Sequence, residues 1–416
     1  MTLSPRRRWL LFTLVLTASI LNLVDRQIVA VLKPIISADL DWSDNDYGTF
    51  AAAFQGAAAF AFLITGWIVD RLGAKWANPI GVAAWSLAAL LHGWAQGFVQ
   101  FFLCRVALGA TEAMGTPSGV KTIAAIFPAE LRSTGFGLSN AVGSVGAIVT
   151  PLIIPVVASV WGWRAAFILA AAVGFLWVLL WLLATRGIHF GDAAGRATAI
   201  EDDLPDYGPI LRERRTWAIA GGKVLSDATW WLMLFWMPDF FYRQFGLSGT
   251  ALGPPLAIAY SGAALGSLVA GILSSALMAR GWPENRLRKT MMLGSALCVL
   301  PVPLALSGGD YWLSVGILTL ALAGHQGFST SLFGTIADIV PARKVGRVTS
   351  FGAFCGNLGG MTIAKVAGLV LAAGMGYAPL FAFAAVSYLL ALGWIHLLIP
   401  RLERVDGEPA AAVARH

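Results

Sequence analysis

Apolar residues run along this chain in long unbroken blocks, separated by short clusters of Arg, Lys, Asp, Gly and Pro. A block of at least ~18 residues is long enough to cross ~30 Å of hydrocarbon as a helix. Twelve such spans are predicted near residues 9–32, 46–69, 76–97, 98–121, 133–158, 164–185, 216–242, 250–279, 290–308, 311–338, 346–374 and 378–399. The blocks are continuous rather than alternating, which predicts helices and argues against a β-barrel. The expected fold class is all-α, a polytopic membrane protein of twelve transmembrane helices in contact with the lipid bilayer.

Composition strengthens that picture. Hydrophobic residues fill 57% of the 416 positions and charged residues only 12%, against about 25% charged in soluble domains. Of the 29 Lys and Arg, 21 fall in tails and loops on one side. Lys33, Arg164 and Arg243 fall on the other, and Arg26, Arg105, Lys121, Lys223 and Lys365 lie within spans. The positive-inside rule then places both termini in the cytoplasm. The net charge of +7 follows from this asymmetry and implies no nucleic-acid partner. The opening "RRRWLLFTLVLTAS" has the layout of a signal peptide, but the apolar stretch continues to Leu32, so an uncleaved first helix is expected. Cys104, Cys298 and Cys355 sit in spans at no metal-ligand spacing and read as small buried hydrophobes.

The longest polar stretch divides six spans from six. It predicts an N-terminal bundle over 1–185, a cytoplasmic linker over 186–215, a C-terminal bundle over 216–400 and a cytoplasmic tail over 401–416. The Glu201-Asp202-Asp203 run in the linker reads as solvated surface. Residues 110–129 and 323–342 match at eight of twenty positions, and this register aligns Glu112 with His325. Such parallel repeats, with a site at their interface, are a transporter architecture.

The stretch "GWIVDRLGAK", residues 66–75, joins the second span to the third. Its Gly66, Asp70, Arg71, Gly73 and Lys75 resemble motif A of the major facilitator superfamily, a gating motif. Glycine allows the tight turn, and Asp70 suits the positive end of a neighbouring helix. "LNLVDRQIVAVLKP" in the first span and "CRVALGATEAMGTPSGVKTIAAIFPAELR" in the fourth resemble the anion:cation symporter family of that superfamily, most closely its bacterial hexuronate and sugar-acid branch. "KVLSDATWWLMLFWMP" and "AGHQGFSTSLFGTIADIVP" extend the likeness into the second half. Two departures stand out. The family's "PxKER" is here "PAELR" (128–132), with its glutamate at Glu130. Small residues around Ala58 stand where the family carries a tyrosine, with Gln55 as a partial replacement. The resemblance implies two pseudo-symmetric six-helix bundles (the major facilitator fold), a location in the inner (plasma) membrane, and a central cavity lined by the first, fourth, seventh and tenth spans.

Candidate chemistry follows from charges set in apolar surroundings. One charge at a helix centre costs about 2.5–3.5 kcal/mol on insertion scales, so the adjacent Asp25 and Arg26 need a purpose. Arg105 and Glu112 are seven residues apart and share one helix face about 10 Å apart along the axis. The spans hold five strong bases against three buried acids, Asp25, Glu112 and Asp227. That surplus suits an organic anion, which guanidinium binds in bidentate fashion. The family pattern implies Arg26 as carboxylate anchor and Glu112 as proton carrier, with Asp25 coupling them and Arg105 holding both acids ionised in the empty state. Lys223 and Asp227, four apart, form either a salt bridge or part of the substrate site. One indole among Trp230, Trp231 and Trp236 is expected to touch ligand, with Trp230 taken first. His325, Gln326 and Asn357 are expected to bond sugar hydroxyls, while Lys121 and Lys365 snorkel to the interface.

The expected function is uptake of a sugar-acid anion, such as glucuronate or galacturonate, by proton symport with alternating access. The alternatives are another organic-anion symporter, an exchanger or exporter, or a transporter-like nutrient sensor. Exporters of the superfamily carry a fifth span ending "GPxxGG", absent from "GSVGAIVTPLIIP" (143–155). A sensor would append a long cytoplasmic domain, whereas sixteen residues follow Pro400. No enzyme motif is present, so no cofactor, metal or catalytic residue is expected, and a monomer is.

Overall fold

The computed structural model describes residues 4–128, 131–132, 135, 138–139, 142–188, 190 and 206–402. Glu130, the Glu201–Asp203 run, most of the linker and nearly all of the tail lie outside the described residues. The described elements are helical: α1 Pro5–Leu40, α2 Asp44–His92, α3 Phe98–Glu112, α4 Gly115–Ile126, α5 Val145–Trp161 and α6 Trp163–Ala184. After the short α7 (Gly208–Leu211) come α8 Arg214–Phe245, α9 Gly253–Ala279, α10 Glu284–Val299, α11 Tyr311–Ile339, α12 Ala342–Ala372 and α13 Ala378–Leu398.

Twelve spans emerge from this order among the described residues. Helix α2 has 49 residues, about 70 Å at 1.5 Å per residue, more than twice the hydrocarbon thickness. It is two rods meeting at Gly73, whose φ of 71° and ψ of 164° no side-chain-bearing residue adopts without strain. Helices α3 and α4 together form the fourth span, interrupted directly after Glu112. Local chemistry sets several ends. Ser43 and Asp46 form a capping box at the start of α2, Asp310 caps Trp312 on α11, and left-handed Gly246 closes α8. Outward faces such as Leu176, Leu179 and Leu183 on α6, or Leu265, Val269 and Ile272 on α9, are exposed apolar stripes that only lipid can cover.

Glycines set how closely the rods approach. A Cβ on Gly109 of α3 would lie 2.2 Å from the Phe54 carbonyl of α2, and one on Gly262 of α9 would lie 2.1 Å from the Thr319 carbonyl of α11. Each contact joins the second and fourth spans of its own half. Between the halves, α2 meets α12 at Gly48, where an added Cβ would lie 2.8 Å from the Ala364 carbonyl and 2.9 Å from the Gly368 Cα.

At the end of the bundle opposite residues 4 and 402, four charges close a ring. Lys33 Nζ donates to Asp44 Oδ1 at 2.7 Å and to Asp239 Oδ1 at 2.6 Å. Arg243 donates to Asp239 Oδ2 at 2.8 Å and also to Asp44. Lys33 and Asp44 belong to the first half of the chain, Asp239 and Arg243 to the second. Tyr377 donates to Asp239, and Lys33 lies 4.9 Å from the Trp236 ring. Beside the ring opens a cavity of about 430 Å³. Lys365 of α12 adds bonds to Asn45 and Thr49 at 2.6 and 2.7 Å.

Three sequence expectations change here. Helix α1 runs on past Leu32, so Lys33 lies within a helix rather than in a loop, and pairing with two carboxylates keeps it buried. Lys365 and Lys121 gain protein partners: Lys365 is tied to α2 as above, and Lys121 Nζ meets Asp70 Oδ1 at 2.9 Å.

Gly109→Leu drives a side chain into the α2 backbone, so folded, monodisperse protein is expected to be lost in size-exclusion chromatography, whereas Gly294→Leu, where a Cβ meets nothing, leaves the profile intact. Lys33→Met leaves Asp239 without its cross-half ammonium. In a background lacking the native cysteines, Ser37→Cys in the adjoining cavity should then react with a polar maleimide faster by about tenfold or more; an unchanged rate removes Lys33 from the closure.

Candidate functional site

Halfway along the bundle, α1 and the fourth span bring the first-half charges together. Arg26 Nε donates to Glu112 Oε2 at 2.6 Å, with the Glu112 side chain fully buried and that of Arg26 15% exposed. Glu112 is the last residue of α3. The two residues that follow, Ala113 and Met114, keep helical backbone angles, and the Glu112 carbonyl accepts a bond from Asn22 Nδ2 at 3.3 Å. Phe54 of α2 forms the floor, 5.5 Å from the Arg26 guanidinium and 4.5 Å from that of Arg105.

The bonding is incomplete. Asp25 Oδ1, Glu112 Oε1, Arg105 Nε and Arg105 Nη1 are all buried without a hydrogen-bond partner. Asp25, Arg105 and Glu112 are each at most 3% exposed. An unpartnered buried polar group costs about 1–3 kcal/mol, more when charged. Two positive and two negative groups are thus packed together with a single direct ion pair, and spare donors and acceptors remain. Arg26, rather than Arg105, makes that pair with Glu112. Two turns of one helix keep Arg105 and Glu112 apart, while Arg26 reaches across from α1.

The second half supplies a different set. Lys223 and Asp227 of α8 pair at 2.6 Å, and Gly356 of α12 leaves room for the carboxylate, since a Cβ there would lie 2.2 Å from Asp227 Oδ2. His325 Nδ1 lies 2.6 Å from the Tyr388 hydroxyl, which itself donates to the Ser226 carbonyl at 2.9 Å. Since the phenol has one proton and it points to the carbonyl, Nδ1–H is the donor to Tyr388 and Nε2 holds the lone pair. Trp230 stacks on His325 at 4.7 Å and 14°. Gln326 lies two helical turns before Phe333, whose ring is 5.2 Å from Lys223 Nζ, so the two share a stripe of α11. Asn357 donates to the Ala353 carbonyl at 2.8 Å, which leaves its amide oxygen available.

Of the tryptophans, Trp231 rather than Trp230 adjoins the first-half charges, with its ring 5.7 Å from the Arg26 guanidinium. Trp230 serves as the shelf for His325, and Trp236 packs at the ring of four charges.

In the 66–75 stretch, Gly73 makes the turn and Asp70 is held by Lys121, which also donates to the Val69 and Asp70 carbonyls. Arg71 lies over Trp67 at 4.3 Å and Lys75 near Trp76 at 5.8 Å, while a Cβ on Gly66 would meet nothing within 4 Å. Asp70 therefore meets a lysine from the fourth span. Sequence reasoning missed Asp239. An acid after Pro238 inside the apolar run "MLFWMPDFF" was the available signal, because an acid so placed needs a basic partner.

Comparison with known proteins places the chain in a family. The family model of the Major Facilitator Superfamily matches residues 15–364. A D-galactonate transporter of Escherichia coli is 26% identical over 96% of this chain and 97% of its own length. A hexuronate transporter of Escherichia coli is 27% identical over 92% of each chain. Among solved structures, a bacterial homologue of the human lysosomal transporter Spinster, in an inward-facing and occupied conformation, superposes with a TM-score of 0.75. It is 18% identical and covers 97% of this chain and 100% of its own. With twelve helical spans, a motif A-like turn at Gly73 and a family match over most of its length, the chain belongs to the Major Facilitator Superfamily of membrane transporters, and it is not an enzyme.

Proposed function

We propose that this protein takes up a sugar-acid anion, a hexuronate or a hexonate, together with a proton, by alternating access. The observation that carries the reading is the buried Arg26–Glu112 pair beside the unpartnered Asp25 and Arg105. The relatives named hexuronate and D-galactonate transporters support the same class of substrate.

The mechanism follows from competition for one guanidinium. Arg26 is the partly exposed member of the pair and Glu112 the sealed one, so an arriving carboxylate meets Arg26 first. A bidentate carboxylate displaces Glu112. The displaced side chain would be an unpaired buried charge, and taking up a proton removes that penalty. Linkage makes the effect mutual: whatever proton binding does for anion affinity, anion binding does for proton affinity. Asp25, next to Arg26 and on the same helix as the anchor, passes the change on, with Arg105 as the fixed counter-charge between the two acids. Trp231 offers an indole face to the sugar, while Lys223, His325 Nε2, Gln326 and Asn357 supply donors and acceptors from the second half.

The ring of Lys33, Asp44, Asp239 and Arg243 closes the end away from the termini. With both termini in the cytoplasm of a bacterial inner membrane, this ring shuts the outer end. The two six-helix bundles, joined by the 186–215 linker, then rock about the central site, and the 66–75 turn acts at the cytoplasmic end.

Purified protein in proteoliposomes tests the reading with a panel of glucuronate, galacturonate, gluconate, galactonate and glucarate, at two pH values, with and without sodium. Accumulation should follow an inward proton gradient and ignore sodium. Glu112→Gln is expected to retain counterflow of labelled substrate while losing pH-driven accumulation, and unchanged accumulation removes Glu112 from the proton step. Arg26→Lys keeps the charge but loses the fork, so KM should rise by about tenfold or more; an unaltered KM places the carboxylate elsewhere.

A further inference from the structure

The seam between the halves holds a polar side chain that neither the ring of four charges nor the central cluster uses. Gln55 of α2 is 0% exposed, and neither its Oε1 nor its Nε2 has a hydrogen-bond partner. A primary amide offers two donors and an acceptor with two lone pairs, so leaving all of them unmet is a standing penalty in this conformation. Leucine would fill similar space without it.

The surroundings say what could meet those atoms. Next along α2 is Phe54, the floor beneath Arg26 and Arg105. Across the seam, the backbone of Gly360 on α12 faces Gln55 and Trp231 together. A Cβ there would lie 2.7 Å from Gln55 Nε2 and 2.4 Å from Trp231 Cδ1, which puts those two atoms within about 5 Å of each other. Trp231 in turn stands 5.7 Å from the Arg26 guanidinium. The Trp231 indole is therefore a shared neighbour of a carboxylate binder, Arg26, and of an unsatisfied amide, Gln55.

We propose that Gln55 is the hydroxyl-reading residue of the site: with the substrate carboxylate on Arg26 and its carbon chain against Trp231, the Gln55 amide accepts from one hydroxyl and donates to another. This inference rests on the sugar-acid reading above and adds which residue tells a polyhydroxylated acid from a plain carboxylate. Gly360 sets the gap, because any side chain there would occupy the space of both partners. A site built to bond hydroxyls discriminates strongly against an analogue without them, since its buried polar atoms then stay unpaired.

The test uses the full-length protein in proteoliposomes, with whichever of D-galacturonate, D-glucuronate and D-gluconate the wild type exchanges best, and hexanoate as a hydroxyl-free competitor. Gln55→Leu should raise the KM for the sugar acid by about tenfold or more, leave inhibition by hexanoate unchanged, and keep accumulation dependent on the proton gradient. The empty Gln55→Leu protein should also melt at the wild-type temperature or above it, because an unmet amide has gone. Gln55→Asn, which folds with the same chemistry but a shorter reach, should likewise raise KM. A sugar-acid KM that stays at the wild-type value in both variants, or a parallel loss of hexanoate inhibition, overturns the inference while leaving the transport reading standing. A wild type that exchanges none of the three acids sinks both.

Discussion

A charge sunk in hydrocarbon must be neutralised by a neighbour, and this requirement organises the molecule from one end to the other. Lys33 is held by two carboxylates, Lys223 by Asp227 one turn away, and Glu112 by Arg26 from another helix. Helix approach is shaped to permit it: Gly356 makes room for the Asp227 carboxylate. Where the requirement is met in full, the groups hold helices together. Where it is met only in part, at Asp25, Arg105 and Glu112, buried donors and acceptors stay without protein partners.

The two halves meet this requirement with different materials. The first half concentrates its ionisable groups into one tight cluster over Phe54. The second pairs a lysine and an aspartate at the centre of α8 and surrounds them with a histidine, a phenol and stacked indole. Glu112 and His325, which align when residues 110–129 are set against 323–342, are a carboxylate engaged by guanidinium and an imidazole engaged by a hydroxyl.

Much of this is legible in the residue order, because long apolar blocks and the few charges inside them are unambiguous. Asp25, Arg26, Arg105, Glu112 and the Lys223–Asp227 pair all emerge from asking which charges sit in oil, and Gly73 from its place between two spans. What escapes depends on distance and phase. Arg105 and Glu112 share a helix face, yet two turns separate them, so the partner comes from another helix. Trp230 and Trp231 differ by about 100° around α8, and hydropathy does not fix which of the two faces the first half. Lys33 reads as a loop residue because basic residues near a span end usually are, and its two acidic partners lie 11 and 206 positions away.

Cutting the four-membered closure between the halves breaks Lys33–Asp239 and Arg243–Asp44 but leaves Lys33 with Asp44 and Arg243 with Asp239. Each departing piece is a zwitterion of zero net charge, so parting them shifts no monopole along the membrane normal. An electrical potential across the bilayer thus gains little purchase on these four charges, whereas Lys365, bonded across the same seam to the neutral Asn45 and Thr49, carries its charge with the second half.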